Sequence, residues 1–283
     1  MTRQKLTTMT ALAIKISTGF AWLLLATAVQ AGTLNLEGEP VQGALMIGRT
    51  EPGTTVKVDG KVVRVSRDGV FVLGFGRDAP QSARLDAIFP DGTSVVRNLQ
   101  VAQRKYNIQR IDGLPPSRVS PSEEDMVRIR KDIADAKKAR ARDDPREDFL
   151  GGFVWPAKGR ISGVYGSQRI LNGKPRRPHF GVDVAAPVGT PVHAPADGVV
   201  TLANKDMFFS GGTLILDHGH GLSSSFLHLS AILVKEGQRV RQGDPIAKIG
   251  ATGRATGPHL DWRMNLGRDR LDPQLLVGPM PSQ

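Results

Sequence analysis

Closely spaced turn signals divide residues 32–101 into short segments, and this feature constrains the fold of that region most. Turn-forming residues occur at 51–53 (EPG), 59–60 (DG), 68–69 (DG) and 90–92 (PDG), and the runs between them are short and rich in valine. Turns of this kind join antiparallel strands. The pattern therefore predicts a small β-sandwich that is immunoglobulin-like in general shape.

The composition extends this prediction to the whole chain. Its 283 residues include 32 glycines and 19 prolines but only 5% aromatic residues, which favours short strands and turns over a helical bundle. A hydrophobic fraction of 40% with 23% charged residues is typical of a globular protein. We expect a mainly β fold with an N-terminal immunoglobulin-like β-sandwich, a linker helix and a C-terminal antiparallel β-sheet domain.

The first 31 residues resemble a secretory signal peptide. Three basic residues and no acidic ones accompany an apolar stretch at 20–26, and small residues lead to a cleavage position after about Ala31. An uncleaved anchor is the alternative, but the apolar stretch is short for a membrane span. We expect an exported chain with no integral membrane segment after cleavage.

The absence of cysteine and the excess of basic residues limit the possible functions. Without cysteine the chain has no disulfide, no thiol nucleophile and no thiolate metal ligand. The net charge is +11, and removal of the signal segment with its three basic residues leaves +8. For an exported protein, the expected polyanionic partner is the cell envelope, including peptidoglycan, and not nucleic acid.

A helix is predicted at about 121–142, within a linker of residues 106–150. Residues 120–123 (SPSE) form a capping-box pattern with proline at the first helical position, and an apolar stripe at helical spacing follows. The stripe consists of Met126, Ile129, Ile133 and Ala136. We expect a connecting helix that packs on one neighbour; a lid over an active site is the alternative.

All six histidines lie in the last region, at positions 179, 193, 218, 220, 228 and 259, which indicates a metal or acid–base site. On a strand, His259 and Asp261 would share one face about 7 Å apart. His179 and Asp183 would start about 13 Å apart if extended, and Gly181 permits a bend that brings them together.

The other histidines have simpler interpretations. His193 lies in an apolar run and is expected to pack. His218 and His220 lie in 217–221 (DHGHG), an expected hairpin turn in solvent, and a place at the edge of the substrate groove is the alternative.

Several separated motifs between residues 155 and 266 resemble the lysostaphin/LytM-type zinc endopeptidases. They occur in the order found in that family, at 178–183 (PHFGVD), 189–192 (GTPV), 194–200 (APADGVV), 226–230 (FLHLS) and 250–260 (GATGRATGPHL). The resemblance implies a LytM-type peptidase domain at 151–283. The remaining predicted regions are a signal peptide at 1–31, a β-sandwich accessory domain at 32–105 and the linker at 106–150.

The resemblance also implies roles for five residues. His179 and Asp183 correspond to zinc ligands, and His228 and His259 to the catalytic pair that moves protons and stabilises the transition state. Asp261 stands where the family has the second histidine of a His-x-His motif. Carboxylate oxygen is an accepted zinc ligand. A second carboxylate would nevertheless reduce the positive charge of the ion, so the ion would polarise its bound water and the substrate carbonyl less. The site would then be slower, prefer a different metal or have lost catalysis.

The expected function is that of an exported, periplasmic, zinc-dependent endopeptidase that hydrolyses peptide cross-links of peptidoglycan, with a D-alanyl–diaminopimelate bond as the expected target. The alternative is a catalytically inactive LytM-like regulator that activates a cell-wall amidase. A lipoyl-like carrier, suggested by 236–240 (EGQRV) and 243–246 (GDPI), is disfavoured by export. The N-terminal domain is a candidate contact for a cell-wall enzyme partner.

Overall fold

The computed structural model describes residues 32–111, 122–171 and 173–281. The predicted signal peptide at 1–31 and the start of the predicted capping box at 120–121 lie outside the described residues. Within the described ranges, no helix is long and apolar enough to cross a membrane. The fold is mainly β, as the sequence predicts.

Residues 32–101 form a β-sandwich of two antiparallel sheets. One sheet has the strand order β1-β2-β5 and the other β4-β3-β6-β7. The two sheets share an apolar cluster that contains Phe71 from the first sheet and Leu85 from the second, both fully buried. The strands are β1 (Leu34–Glu37), β2 (Leu45–Thr50), β3 (Thr55–Val58), β4 (Lys61–Val63), β5 (Val70–Gly74), β6 (Ser82–Ile88) and β7 (Ser94–Gln100).

The C-terminal region is built on one antiparallel sheet, whose main path runs β17-β14-β15-β16-β19-β12-β9. Strands β13, β18 and β20 join this sheet beside the path. Its strands are β9 (Arg160–Gly163), β12 (Val182–Ala185), β13 (Pro191–His193), β14 (Gly198–Met207), β15 (Gly211–Gly219), β16 (Leu222–Ile232), β17 (Arg239–Val240), β18 (Pro245–Ile249), β19 (His259–Leu266) and β20 (Asp269–Leu271).

Successive side chains of β19 point alternately into the apolar core and to the opposite side of the sheet. Leu260, Trp262 and Met264 are fully buried in the main apolar cluster. The intervening residues His259, Asp261, Arg263 and Asn265 point to the opposite side, because successive side chains of a strand alternate. We call this second side the site face of the sheet.

One helix, α1 (Glu123–Ala139), lies in the linker. Its N-cap is Ser122, whose side chain accepts a hydrogen bond from the Asp125 amide, and the Asp125 side chain bonds back to the Ser122 amide. The predicted box at 120–123 is therefore wrong by two residues. The sequence contains two overlapping Ser-x-x-acid patterns, and the second one caps the helix.

Helix α1 packs on the site face through small residues. Ala136 and Ala139 contact a cluster of Leu202, Met207 and Ile215 on strands β14 and β15. Ile133, by contrast, is 58% exposed, so the predicted apolar stripe is only partly buried. The helix thus packs on one neighbour, as expected, but that neighbour is the face of the sheet that also carries Asp261.

The linker and the sandwich are joined closely to the C-terminal region. The linker contributes a strand, β8 (Ile108–Ile111), which pairs in parallel with β10 (Gln168–Leu171), and β11 (Lys174–Pro175) completes this small sheet. Val70 and Val72 of the sandwich belong to the main apolar cluster of the C-terminal sheet. Residues 32–283 accordingly form one compact unit, and the boundaries at 105 and 150 stay a prediction.

Candidate metal centre

His179 and Asp183 converge at the start of β12. The Nε2 atom of His179 lies 3.2 Å from Oδ1 of Asp183. The chain at His179 is held by two backbone hydrogen bonds, from its own amide to the Ser167 carbonyl and from the Gly166 amide to its carbonyl, each 2.8 Å. These bonds fix the bend before the strand begins.

Gly181 allows this convergence by leaving space. A Cβ at this position would lie 2.5 Å from Oδ1 of Asp261 and 2.6 Å from the Trp262 carbonyl oxygen. Gly181 does not have the positive φ that would make glycine necessary for the bend itself. Its contribution is the close approach of β12 to β19, where Asp183 pairs with Asp261.

Asp261 is buried and forms an ion pair with Arg263. The Arg263 Nε donates to both carboxylate oxygens at 2.9 and 3.0 Å, and Nη2 donates to Oδ2 at 2.5 Å. The pair follows from strand alternation, which places residues 261 and 263 on the same face. The side chain of Asp261 is 3% exposed, and that of Arg263 is 29% exposed.

His228 and His259 lie side by side next to these carboxylates. Their ring centroids are 4.8 Å apart, and the His259 Nε2 is 3.9 Å from Oδ1 of Asp183. His228 has a positive φ of 64°, at a bulge in the pairing of β16 with β15. This bulge lets His228 reach the site face, although its neighbour Leu227 already lies opposite Asp261.

Backbone carbonyls fix the proton positions of both rings. The Nδ1 of His228 lies 2.8 Å from the Thr252 carbonyl, and the Nδ1 of His259 lies 2.8 Å from the Gly257 carbonyl. A carbonyl oxygen only accepts, so each Nδ1 carries a proton. In the neutral rings, Nε2 is therefore the free base.

The surroundings shift the pKa values of His179, His228 and Asp261. Burial lowers the pKa of His179, but the adjacent carboxylates of Asp183 and Asp261 outweigh burial and raise it overall. Burial lowers the pKa of His228, so its ring is neutral near pH 7. Burial raises the pKa of Asp261, but Arg263 outweighs burial and holds it below the ordinary range. The carboxylate is therefore ionised.

The donor set fits a metal ion. Three potential ligand atoms lie within 4.8 Å of one another, one each from His179, Asp183 and Asp261. The His179 Nε2 and the Asp183 Oδ1 are buried and make no hydrogen bond within the described residues, which is costly unless another group satisfies them. Imidazole nitrogen and carboxylate oxygen are both accepted zinc ligands, so this group can hold the ion.

The structure thus brings together all five predicted site residues, whose assigned roles stay predictions. The interpretation of His218 and His220 as solvent-exposed turn residues is wrong. His218 is fully buried between the Asp197 carbonyl and the Ser224 hydroxyl, at 2.6 and 2.7 Å. His220 is buried against Phe149, because the end of the linker covers this turn.

Sequence reasoning gave Arg263 no role, although its spacing from Asp261 on one strand face was a usable signal. Trp262, also without a role, is fully buried and packs against Trp155 with ring centroids 5.9 Å apart. Three further arginines, Arg140, Arg177 and Arg270, line a cavity with Arg263. They come from separate segments, so no local pattern indicated them.

The fold and the site together define a metallopeptidase-type domain, with a His/Asp/Asp group that could hold a metal ion and two histidines on one antiparallel sheet. Residues 177–273 match Peptidase family M23. A solved structure from Pseudomonas aeruginosa, described as a peptidase M23, is 31% identical. It is matched over 85% of this chain and 96% of its own, with a TM-score of 0.66. The chain belongs to Peptidase family M23.

Two curated relatives come from Vibrio cholerae. Peptidoglycan DD-endopeptidase ShyA is 41% identical over 38% of this chain and 25% of its own length. Peptidoglycan DD-endopeptidase ShyB is 30% identical over 67% of this chain and 46% of its own length. This chain therefore spans less than half the length of these relatives.

Proposed function

We propose that this chain is an exported, periplasmic, zinc-dependent endopeptidase that hydrolyses peptide cross-links of peptidoglycan. The observation that carries the proposal is the convergence of His179, Asp183 and Asp261 beside His228 and His259 on one face of the sheet. Family membership and the names of the relatives support the substrate class. The net charge of +11 suits an anionic envelope.

His179, Asp183 and Asp261 would hold the zinc ion. A zinc ion bound there would act as a Lewis acid that polarises the scissile carbonyl and lowers the pKa of bound water. The ligand group keeps a net charge of −1 when the Arg263 guanidinium is counted with the two carboxylates. That charge equals the charge of a His/Asp/His group, so Arg263 offsets the additional carboxylate.

The two histidines divide the proton transfer and charge stabilisation. His259 Nε2 points towards Asp183 and is unprotonated in the neutral ring, so it can accept a proton from the attacking water. The ring centroid of His228 lies 4.8 Å from that of His259, and a ring that has become protonated can donate to the oxyanion or to the leaving amine. The carbonyls of Gly257 and Thr252 hold both rings in the required orientation.

One observation favours the alternative, a catalytically inactive LytM-like regulator of a cell-wall amidase. Both carboxylate oxygens of Asp261 accept hydrogen bonds from Arg263, and this ion pair competes with coordination of a metal. In the regulator, the sandwich of residues 32–101 would offer a contact surface for the partner enzyme. The two functions differ in metal retention and in hydrolysis, so one experiment separates them.

The test uses purified sacculi incubated with the protein, with zinc or with chelator, and mass spectrometry of the released muropeptides. We expect loss of cross-linked dimers that requires zinc and is absent in Asp183→Asn and His259→Ala. Asp206→Asn is the matched control, because Asp206 pairs with Arg128 at the surface away from the centre. Unchanged muropeptides, together with no zinc in the purified protein, would favour the regulator.

A further inference from the structure

A cavity of about 320 Å³ lies between helix α1 and the site face of the sheet. The helix contributes Ile129 and Arg140, and the sheet contributes Ser225, Leu227 and Arg263. Leu227 is paired with Asp261 across β16 and β19. The cavity therefore adjoins the metal centre on the same face.

The lining of the cavity is strongly basic. Among the described residues that line it, the cations are Lys137, Arg140, Arg177, Arg263 and Arg270, and the acid is Asp132. The carboxylate of Asp132 already accepts a hydrogen bond from the Phe208 amide at 2.7 Å. Arg263 is paired with Asp261, which leaves the other cations without a counterion among these lining groups.

The three additional arginines have weak partners within the described ranges. Arg270 donates to the Asn265 side-chain oxygen at 3.0 Å, and Arg177 lies 5.7 Å from the Phe180 ring centroid. Arg140 is the C-cap of α1, where the helix carbonyls favour a cation. Neutral or dipolar partners offset only part of the cost of grouping several guanidinium ions in a half-buried site.

The pKa values reflect this grouping. Burial and the charges of Arg263 and Arg177 lower the pKa of Arg140 to about 10. Burial and the charges of Arg140, Arg263 and Arg177 lower the pKa of Arg270 to about 9. Both groups remain charged near neutral pH, and an anion in the cavity would remove the mutual repulsion.

We propose that Arg140, Arg177 and Arg270 form an anion subsite that binds a carboxylate of the acidic stem peptide while the scissile bond lies at the metal centre. The identity of the ligand rests on the proposed function. The guanidinium group suits a carboxylate because it donates two parallel hydrogen bonds. The subsite would make the enzyme selective for stem peptides with free carboxylates.

The position of the subsite sets its distance from the reacting bond. Asp261, Arg263 and Asn265 follow one another on the site face of β19 at roughly 7 Å intervals. Arg270 pairs with Asn265. The bound carboxylate should therefore lie roughly 7–14 Å from the scissile carbonyl, about two to four residues of an extended peptide.

Binding to the chelator-treated full chain provides the test, since the metal centre then cannot hold the carboxylate. Calorimetry measures the affinity for two forms of one stem peptide, one whose side carboxylates are free and one in which they are amidated. We expect the acidic peptide to bind about tenfold more tightly, and Arg140→Gln or Arg270→Gln to remove this preference. Inorganic phosphate should compete weakly with the acidic peptide.

Two further variants, Arg177→Gln and Arg128→Gln, distinguish loss of the subsite from a folding defect. Arg177 is exposed, so its replacement leaves the fold intact, and it should still weaken binding of the acidic peptide. Arg128 lies on the same helix but pairs with Asp206, so its replacement should leave binding unchanged. Equal affinity for the two peptides, or unchanged affinity in all three cavity variants, would overturn the subsite.

The binding test is independent of hydrolysis. Sacculi that remain intact with zinc would refute the proposed endopeptidase, whereas loss of discrimination between the two peptides would refute only the subsite. In an active enzyme, the cavity variants should raise KM about tenfold for the acidic substrate, with little change in kcat. The fall in kcat/KM should be larger for the acidic substrate than for the amidated one.

Discussion

Arg263 and Asp261 form a bidentate ion pair at the edge of the metal centre, with the Arg263 Nε 2.9 Å from Oδ1 and its Nη2 2.5 Å from Oδ2 of Asp261. The two residues occupy alternate positions of β19, so the strand itself sets their separation. The sequence suggested that a second carboxylate would weaken the pull of the ion on its substrate. The guanidinium offsets that charge, because it is fixed directly behind the carboxylate.

The first prediction concerns removal of this guanidinium. Arg263→Met leaves the buried carboxylate of Asp261 unpaired, which should lower the free energy of unfolding of the metal-free protein by about 3 kcal/mol. Zinc should bind the native site and not the unfolded chain, and it should replace the missing positive charge, so we expect it to raise the Tm more in this variant than in the wild type. Calorimetric melting with zinc and with chelator measures both shifts.

The exposed Arg254, which lies over the Phe209 ring, provides the control. Arg254→Met should reproduce the zinc-dependent Tm shift of the wild type. An equal shift in Arg263→Met and the wild type would show that Arg263 has no electrostatic part in metal binding.

The second prediction exchanges the ligand type. Asp261→His restores the histidine of the family motif but leaves the Arg263 cation beside a neutral ring, so zinc retention should fall. Asp261→His with Arg263→Met removes that cation and should regain retention. The two positions are in contact, so we expect a coupling free energy of about 1–3 kcal/mol.

Zinc content after dialysis against a buffered chelator, measured for both single variants and the double variant, gives this coupling. Strictly additive effects of the two substitutions on zinc affinity would contradict it.

The third prediction tests the packing of β12 against β19. Gly181→Ala places a Cβ 2.5 Å from the Asp261 Oδ1 and 2.7 Å from the Arg263 Cγ, so the ion pair must move. Zinc retention and hydrolysis should fall on the order of 10- to 100-fold, which is the usual effect of disturbing groups that orient metal ligands.

Gly151→Ala is the matched control, since a Cβ at Gly151 meets no atom within 4 Å. Normal zinc content in Gly181→Ala would show that the strands separate without disturbing the ligands.

Local patterns revealed most of the fold and part of the site. Alternating valines and two-residue turns depend on neighbouring residues, so the sandwich strands were predictable. Asp261 and Arg263 share a strand face for the same local reason. Arg140 and Arg270, however, meet only because α1 packs on the sheet, and that contact depends on residues far apart in sequence. The burial of His220 was missed for the same reason, since the linker covers its turn.

The fourth prediction concerns acid stability and His218. Burial lowers the pKa of His218 from 6.5 to about 4, so the folded protein keeps this ring neutral while the unfolded chain protonates it. Between these two pH values the unfolded state binds more protons than the folded state. The contribution of His218 to the free energy of unfolding is therefore fully present above about pH 6.5 and is lost as the pH falls from about 6.5 to 4. The contribution is about 3 kcal/mol.

Denaturant titrations from pH 8 to 4 should show that the free energy of unfolding falls less with decreasing pH in His218→Gln than in the wild type. Gln keeps a hydrogen bond to the Ser224 hydroxyl within reach but cannot titrate. The wild-type curve also contains the other histidines, so the difference between the two curves isolates His218. Parallel curves would mean that His218 has an ordinary pKa in the folded protein.

The fifth prediction concerns the junction between the sandwich and the sheet domain. Strand β5 places Val70 and Val72 in the main cluster of the C-terminal sheet and Phe71 and Leu73 in the sandwich core. A single strand therefore belongs to both cores, and the two regions should unfold together. Val72→Ala should cost about 2 kcal/mol, and Phe71→Leu a similar amount from the other side of the strand.

Each variant should lower the midpoint of one cooperative transition, recorded both by tryptophan fluorescence and by far-ultraviolet circular dichroism. The described tryptophans, Trp155 and Trp262, lie in the C-terminal region, so their fluorescence reports that region, whereas circular dichroism reports the whole chain. If the two probes gave different midpoints for Phe71→Leu, the sandwich would unfold independently. Coincident midpoints are expected because the shared strand cannot leave one core without opening the other.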